Sequence, residues 1–162
     1  MAKTVYLAGP ILGCNKGEAN DWREYVEQKF RDETDGAIRG ISPLRCEPII
    51  GERYGVGHAD PKFGTARAIS SKNLFDVKNC DLTLAFLPRE IIDIAGHQSY
   101  GTLIEVAWAH ALGKPAIVVS DDLGITEHPV VNSCAGWLLP NVDDAIEVCI
   151  GILHGYVGGK NI

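Results

Sequence analysis

No apolar run in this chain of 162 residues reaches the roughly 20 needed to span a bilayer, so no membrane partner is expected. The opening Met1-Ala2-Lys3-Thr4 runs straight into a strand pattern, so no signal peptide and a cytoplasmic location are expected. Positive charge is scarce: 15 Lys and Arg stand against 21 Asp and Glu, a formal net charge of −6. A protein that grips a nucleic acid backbone usually carries a basic stripe; none occurs here, which argues against a polymer partner. A single nucleotide needs only a few local donors and stays open. The chain has no C-x-x-C pair. Its five cysteines (Cys14, Cys46, Cys80, Cys134, Cys149) are odd in number and widely spaced. They read as reduced thiols filling the core, not as a zinc site or a disulfide frame. The histidines form no H-E-x-x-H, so no metal is expected. G-x-G-x-x-G is absent, which removes the dinucleotide fingerprint; no cofactor is expected. No repeat or linker divides the chain, so residues 1–162 are expected to form one domain, with a loose tail after about 155.

What is present is an alternation of strand and helix patterns. Thr4 to Ala8 is a buried strand closed by Gly9-Pro10. Glu18 to about Phe30 has helical spacing, with Ala19, Trp22, Tyr25, Val26 and Phe30 as core candidates. Ile38 to Leu44 reads as a second strand and Glu47 to Thr65 as a long loop. Ala66 to Asn79 is a helix with Ile69, Leu74 and Val77 inward. Leu82 to Leu87 is a strand, and Arg89 to Gln98 an irregular loop. An apolar helix through Glu105 is stopped by Gly113 and Pro115. Ala116 to Ser120 is a strand. A loop through His128-Pro129 leads to a last strand, Gly136 to Leu139, and Val142 to about Leu153 forms the closing helix. Trp22, Trp108 and Trp137 read first as core. This order predicts an α/β fold: a doubly wound, mostly parallel five-stranded sheet in a Rossmann-like or flavodoxin-like three-layer sandwich. Ligands in such sheets bind beyond the carboxyl ends of the strands.

One residue in that pattern demands a reason. Glu105 sits inside a helix that is apolar on nearly every face, and such helices are normally buried. A buried carboxylate is costly unless it is compensated. It could be a nucleophile, a general base or a structural anchor satisfied by an Arg or by backbone donors. Around it stand further candidates. Gly9, Pro10 and Ile11 follow the first strand, where glycine lets a ligand approach the backbone or simply ends the strand. Ser99, Gly101 and Thr102 open the Glu105 helix; its free N–H groups suit an anion, or the hydroxyls cap them. Asn73 and Asp76 share a helix face, with a plain solvated face as the alternative, the better one for Asp76 alone. Tyr6 ends a strand near the expected pocket, with a hydroxyl that needs a partner.

Together these residues resemble the nucleoside 2-deoxyribosyltransferase family and its relatives, the nucleotide N-glycoside hydrolases. The matching pieces are Val5-Tyr6-Leu7-Ala8-Gly9-Pro10, the run Asp76 to Asp81, and above all Ser99 to Pro115, with its S-x-G-T-x-x-E followed by an apolar helix and G-K-P. With His128-Pro129 and the closing helix, the likeness spans most of the chain. The resemblance implies cleavage of the N-glycosidic bond of a nucleoside or nucleotide through a glutamate-bound sugar, with Glu105 as the nucleophile. Tyr6 and Gly9 match residues that line the pocket and hold that nucleophile. Asn73 departs from the family's frequent aspartate; an amide can bond a base but cannot protonate it. Asp76 or Asp93 are the carboxyl alternatives for that step. Ser99 matches the monophosphate hydrolases, where transferases often carry aspartate, and a hydroxyl there suits a 5′-phosphate. Leu12 points the other way, because hydrolases often have arginine there; Lys16, Arg45 or Arg53 could supply that charge from folded-in loops.

The expectation is therefore a retaining enzyme with Glu105, Tyr6, Asn73 and Asp76 in the catalytic group. It passes 2-deoxyribose from a nucleoside, or its 5′-monophosphate, to another base. Two alternatives stand beside it: a monophosphate hydrolase with water as acceptor, and a non-catalytic nucleotide-sensing module. The resemblance also implies a homo-oligomer in which a neighbouring subunit completes the site, with His128 to Ser133 as a candidate contributor.

Overall fold

A computed structural model describes residues 1–45, 47, 51–55 and 60–155. The expected loose tail and part of the Glu47 to Thr65 loop lie outside those residues, as does Cys46.

Five strands form one sheet: β1 (Lys3–Ala8), β2 (Ile38–Ile41), β3 (Leu82–Phe86), β4 (Ala116–Val119) and β5 (Trp137–Leu139). Their order is β2-β1-β3-β4-β5 and every pairing is parallel. This is the flavodoxin-like order, whose topological switch lies between β1 and β3. The expected doubly wound sandwich is thus the observed fold.

Alternation along the strands sorts the core into two layers. Val5 and Leu7 of β1, with Leu82, Leu84, Ile117 and Val119, pack beneath α1 (Lys16–Thr34) and α7 (Val142–Leu153) through Trp22, Val26, Phe30 and Ile146. Tyr6 and Ala8 point to the other face. They join Ala85 and Val118 under α2 (Ala66–Asn79) and α4 (Tyr100–Ala111) through Val77, Val106 and Ala109. Each fully buried aliphatic or phenyl side chain contributes about 1.5–3 kcal/mol. The register Tyr6↔Thr83 puts the ends of β1 and β3 side by side at the switch point.

Local sequence explains the helix ends. Asn15 and Glu18 form a reciprocal capping box that starts α1 two residues before the expected Glu18. Gly113, at φ +69°, ends α4 as expected, with the Lys114 N–H returning to the Ala109 carbonyl.

Several expectations are corrected. The stretch from Arg89 is not an irregular loop; it opens with α3 (Arg89–Ala95), which ends at Gly96 in the left-handed region. The β4–β5 connection carries α5 (Leu123–Thr126) and α6 (Pro129–Cys134). β2 stops at Ile41, because Ser42 to Arg45 turn away. Tyr25 is exposed, its hydroxyl donating to Asp143 Oδ1 at 2.6 Å, and Leu74 and Trp137 are also exposed. Trp108 is half-buried, whereas Trp22 is in the core. Cys14, Cys80 and Cys149 fill buried positions and Cys134 is half-buried. Among the described residues no helix is long and apolar enough to cross a membrane.

The Glu105 helix itself is not covered on every side. Tyr100, Ile104, Ala107 and Ala111, spaced four, three and four apart, form an exposed stripe. Tyr100 and Ile104 keep 69% and 48% of their surface in solvent.

Candidate active site

The switch point opens into a cavity of about 370 Å³, in the size range of small-ligand sites. The loop after β1 supplies Gly9, Ile11 and Leu12; α2 supplies Ile69, Lys72 and Asn73. The start of α4 supplies Ser99 to Thr102, and Glu105 stands one turn further in. Of the sequence candidates, Gly9, Ile11, Asn73, Ser99, Gly101, Thr102 and Glu105 meet on its wall. Tyr6, Asp76 and Pro10 do not line it. Residues that sequence reasoning missed are Lys72, Ile69, Phe63, His97, Gln98 and Tyr100, among others.

Glu105 is 5% exposed, yet it borders the cavity. One oxygen is held from two sides. The Tyr6 hydroxyl donates to Oε1 at 2.8 Å and Asn73 Nδ2 donates to the same atom at 2.9 Å. Among the described residues no hydrogen bond reaches Oε2. Burial pushes this carboxyl up to about 7. Against that act the Tyr6 hydrogen bond, the Arg23 charge, the Asn73 amide and the Lys72 charge. Burial first, then the facing carboxylate, raises the Tyr6 hydroxyl well above the usual phenol range, so Tyr6 remains a donor.

Below this pair lies a buried guanidinium. Arg23 Nε donates to the Leu7 carbonyl at 3.0 Å and Nη2 to the Gly9 carbonyl at 3.1 Å. Nη1 donates to the Ala19 carbonyl, and the group stacks over Trp22 at 4.5 Å from the ring centre. Burial lowers Arg23 to about 10, and it still lends positive potential to Glu105. It also ties α1 to the end of β1, the strand that carries Tyr6.

Gly9 has a packing reason as well as a place on the cavity wall. A Cβ there would stand 2.7 Å from Trp22 Cζ2 and 3.1 Å from the Phe86 carbonyl oxygen. The close approach is to the protein's own core.

Asp76 is not a solvated helix residue. It is 4% exposed, and both oxygens are engaged. Arg45 grips them through Nη1 and Nη2, each at 2.7 Å, and Lys72 Nζ adds a contact at 3.2 Å. Asp93 is exposed on α3, 3.7 Å from Arg89, and does not border the cavity. Of the cations considered for a phosphate, Arg53 reaches back to the Gly13 carbonyl and Glu18, and Arg45 holds Asp76.

At the start of α4, neither Ser99 nor Thr102 caps the backbone. Their hydroxyls bond each other at 2.8 Å. No side chain caps the first turn, although the Tyr100 N–H donates to the Gln98 carbonyl at 3.0 Å. No carboxylate stands in that turn.

Residues 5–144 match the model of the nucleoside 2-deoxyribosyltransferase family. The chain belongs to that family. Among curated proteins none matches the sequence. Solved structures with a similar fold include the molybdenum cofactor binding protein of Rippkaea orientalis. It is 17% identical over 94% of this chain and 98% of that one, with a TM-score of 0.56. The CMP N-glycosidase of Clostridium botulinum is 18% identical over 91% and 98%, with a TM-score of 0.50. A 2-deoxyribosyltransferase from Leishmania mexicana is 23% identical over 74% of this chain, with a TM-score of 0.47, and this chain spans 65% of its length. At such identities the likeness is one of fold, and one fold hosts several ligands.

Proposed function

We propose that this protein cleaves the N-glycosidic bond of a 2′-deoxyribonucleoside, or its 5′-monophosphate, and transfers the deoxyribose to another nucleobase. Glu105 attacks C1′ through Oε2, the base leaves with the bonding electrons, and a covalent glutamyl sugar forms. An incoming base then attacks the same carbon and releases Glu105. The observation that carries this reading is the one-sided grip on the carboxylate. Tyr6 and Asn73 both hold Oε1, so the carboxylate is kept still while its second oxygen has no hydrogen-bond partner among the described residues and is left to react. A purely structural carboxylate would have both oxygens satisfied, as Asp76 does. Asn73 acts here as a positioning residue for the nucleophile, and Asp76 as a structural anion.

A second reading is favoured by the start of α4. Uncapped N–H groups beside the Ser99 and Thr102 hydroxyls, with no carboxylate in the turn, suit a 5′-phosphate. That supports a deoxynucleoside 5′-monophosphate hydrolase, with water as the acceptor. Product analysis separates the two. Deoxynucleosides and their monophosphates are incubated with and without a free acceptor base. New nucleoside formed only with acceptor supports transfer; free base and sugar phosphate support hydrolysis. Binding without turnover, unchanged in Glu105→Ala, would leave only a nucleotide-sensing role.

The same reading includes a homo-oligomer. The exposed apolar stripe on α4 begins at Tyr100 on the cavity rim, and Val130 of the neighbouring α6 is also exposed. A second copy seated there would cover this surface and close the mouth of the site.

A further inference from the structure

A glycosidic bond breaks only if the departing base can hold the electrons it takes. With Glu105 as nucleophile, the site still needs a group on the base. Asn73 is neutral, and its amide is turned to Glu105 Oε1. Asp76 has both oxygens taken up by cationic donors. Asp93 stands away from the cavity. His97 is exposed, with Nδ1 on the Gln98 carbonyl.

His97 and Glu47 also line the cavity, but Lys72 differs in being a cation braced there by a buried anion. It follows Ile69 by one helical turn, adjoins Asn73 in sequence, and lines the cavity with its side chain 17% exposed. Its ammonium is anchored by the Pro43 carbonyl at 2.9 Å and Asp76 Oδ2 at 3.2 Å. An ammonium has three N–H donors. Among the described residues the third has no acceptor. Asp76 is fixed in turn by the two-pronged Arg45 grip, so the cation is held by a braced anion rather than swinging on a free stem. A fixed cation at the wall of the cavity is suited to a charge that appears only during reaction.

We propose that Lys72 is the leaving-group residue of this site: it donates a hydrogen bond to an acceptor atom of the nucleobase and stabilises the base as it departs. The proposal rests on the glycosidase reading above and adds a catalytic residue to it. As the C1′–N bond breaks, the electron pair passes to the base, and Glu105 Oε2 forms the new bond to C1′. Lys72 keeps its proton; the anionic base takes one from water when it is released.

The test uses 5-substituted 2′-deoxyuridines and their 5′-monophosphates, with base acidity rising from 5-methyl to 5-nitro. Unaltered protein, Lys72→Met and Lys72→Arg are compared, with folding checked by thermal melting. In Lys72→Met, kcat/KM on the 5-methyl compound should fall about 100-fold or more, the size of a lost transition-state donor. On the 5-nitro compound, whose base leaves unaided, the loss should be under tenfold, and Lys72→Arg should recover part of it. An equal loss across the series, or none, overturns the proposal while leaving Glu105 as nucleophile. If only purine 2′-deoxynucleosides or their monophosphates turn over, the same comparison is made on purines of graded base acidity; no turnover of either base class by the unaltered protein overturns the glycosidase reading, and the proposal with it.

Discussion

The Tyr6 hydroxyl meets Glu105 Oε1 at 2.8 Å across 99 positions of sequence. One residue lies in the first strand, two before its end at Ala8; the other sits on the helix above the sheet. Their bond joins the two elements that flank the switch point.

Removing that bond gives a first prediction. A nucleophilic carboxylate must be ionised, so kcat/KM should rise with pH along an acid limb near pH 7, where burial places Glu105. In Tyr6→Phe the ionised form loses a donor and the limb moves to higher pH. At pH 7 kcat/KM should fall about 10- to 100-fold, the equivalent of a hydrogen bond to a charged group, about 1.5–3 kcal/mol. A pH–rate profile checks it.

Stability should show the opposite face of the same burial. The Glu105 carboxyl stands at about 7 in the fold against an ordinary 4.5. The folded state therefore holds the proton more tightly, and the protein loses stability as pH rises through that window. Glu105→Gln keeps an oxygen for Tyr6 and Asn73 and carries no charge. It should match the unaltered protein near pH 4.5 and exceed it by up to ~3 kcal/mol at pH 8. Denaturant melts at both pH values measure the gap.

Gly9→Ala should disturb the core rather than only the pocket mouth. The new methyl would meet Trp22 at 2.7 Å. Overpacking of this kind costs about 1–3 kcal/mol. Both Tm and activity should drop, because the displaced segment also carries the carbonyl held by Arg23.

Ile104→Glu places a charge in the exposed apolar stripe without touching the cavity wall. Sedimentation velocity should show the unaltered protein as a dimer or larger and the variant as a monomer. A unaltered protein that is monomeric at micromolar concentration would contradict the assembly.

Much of this was legible in sequence because a few residues broke a local rule. Glu105 stood out as a carboxylate in an apolar helix, and strand alternation brought Tyr6 to its side of the sheet. Other features gave no such sign. α3 spans seven residues, too few to show a period, and starts at Pro88 without a side-chain cap. The stripe from Tyr100 to Ala111 is as apolar as the buried face of the same helix, so composition could not say which side stays open. Lys72 looked like any helix lysine. Its meaning comes from Asp76, four residues on, and from Arg45, 31 residues away from that aspartate and drawn in only by the turn after β2.

The central claim is that Glu105 carries the sugar. The direct measurement is mass spectrometry of the protein after reaction with a 2-fluoro-2-deoxy nucleoside analogue, which slows release of the intermediate. The mass of the fluorinated sugar is expected on the peptide containing Glu105, and nowhere in Glu105→Gln. A label on another residue, or none while the enzyme turns over its substrate, would contradict the account.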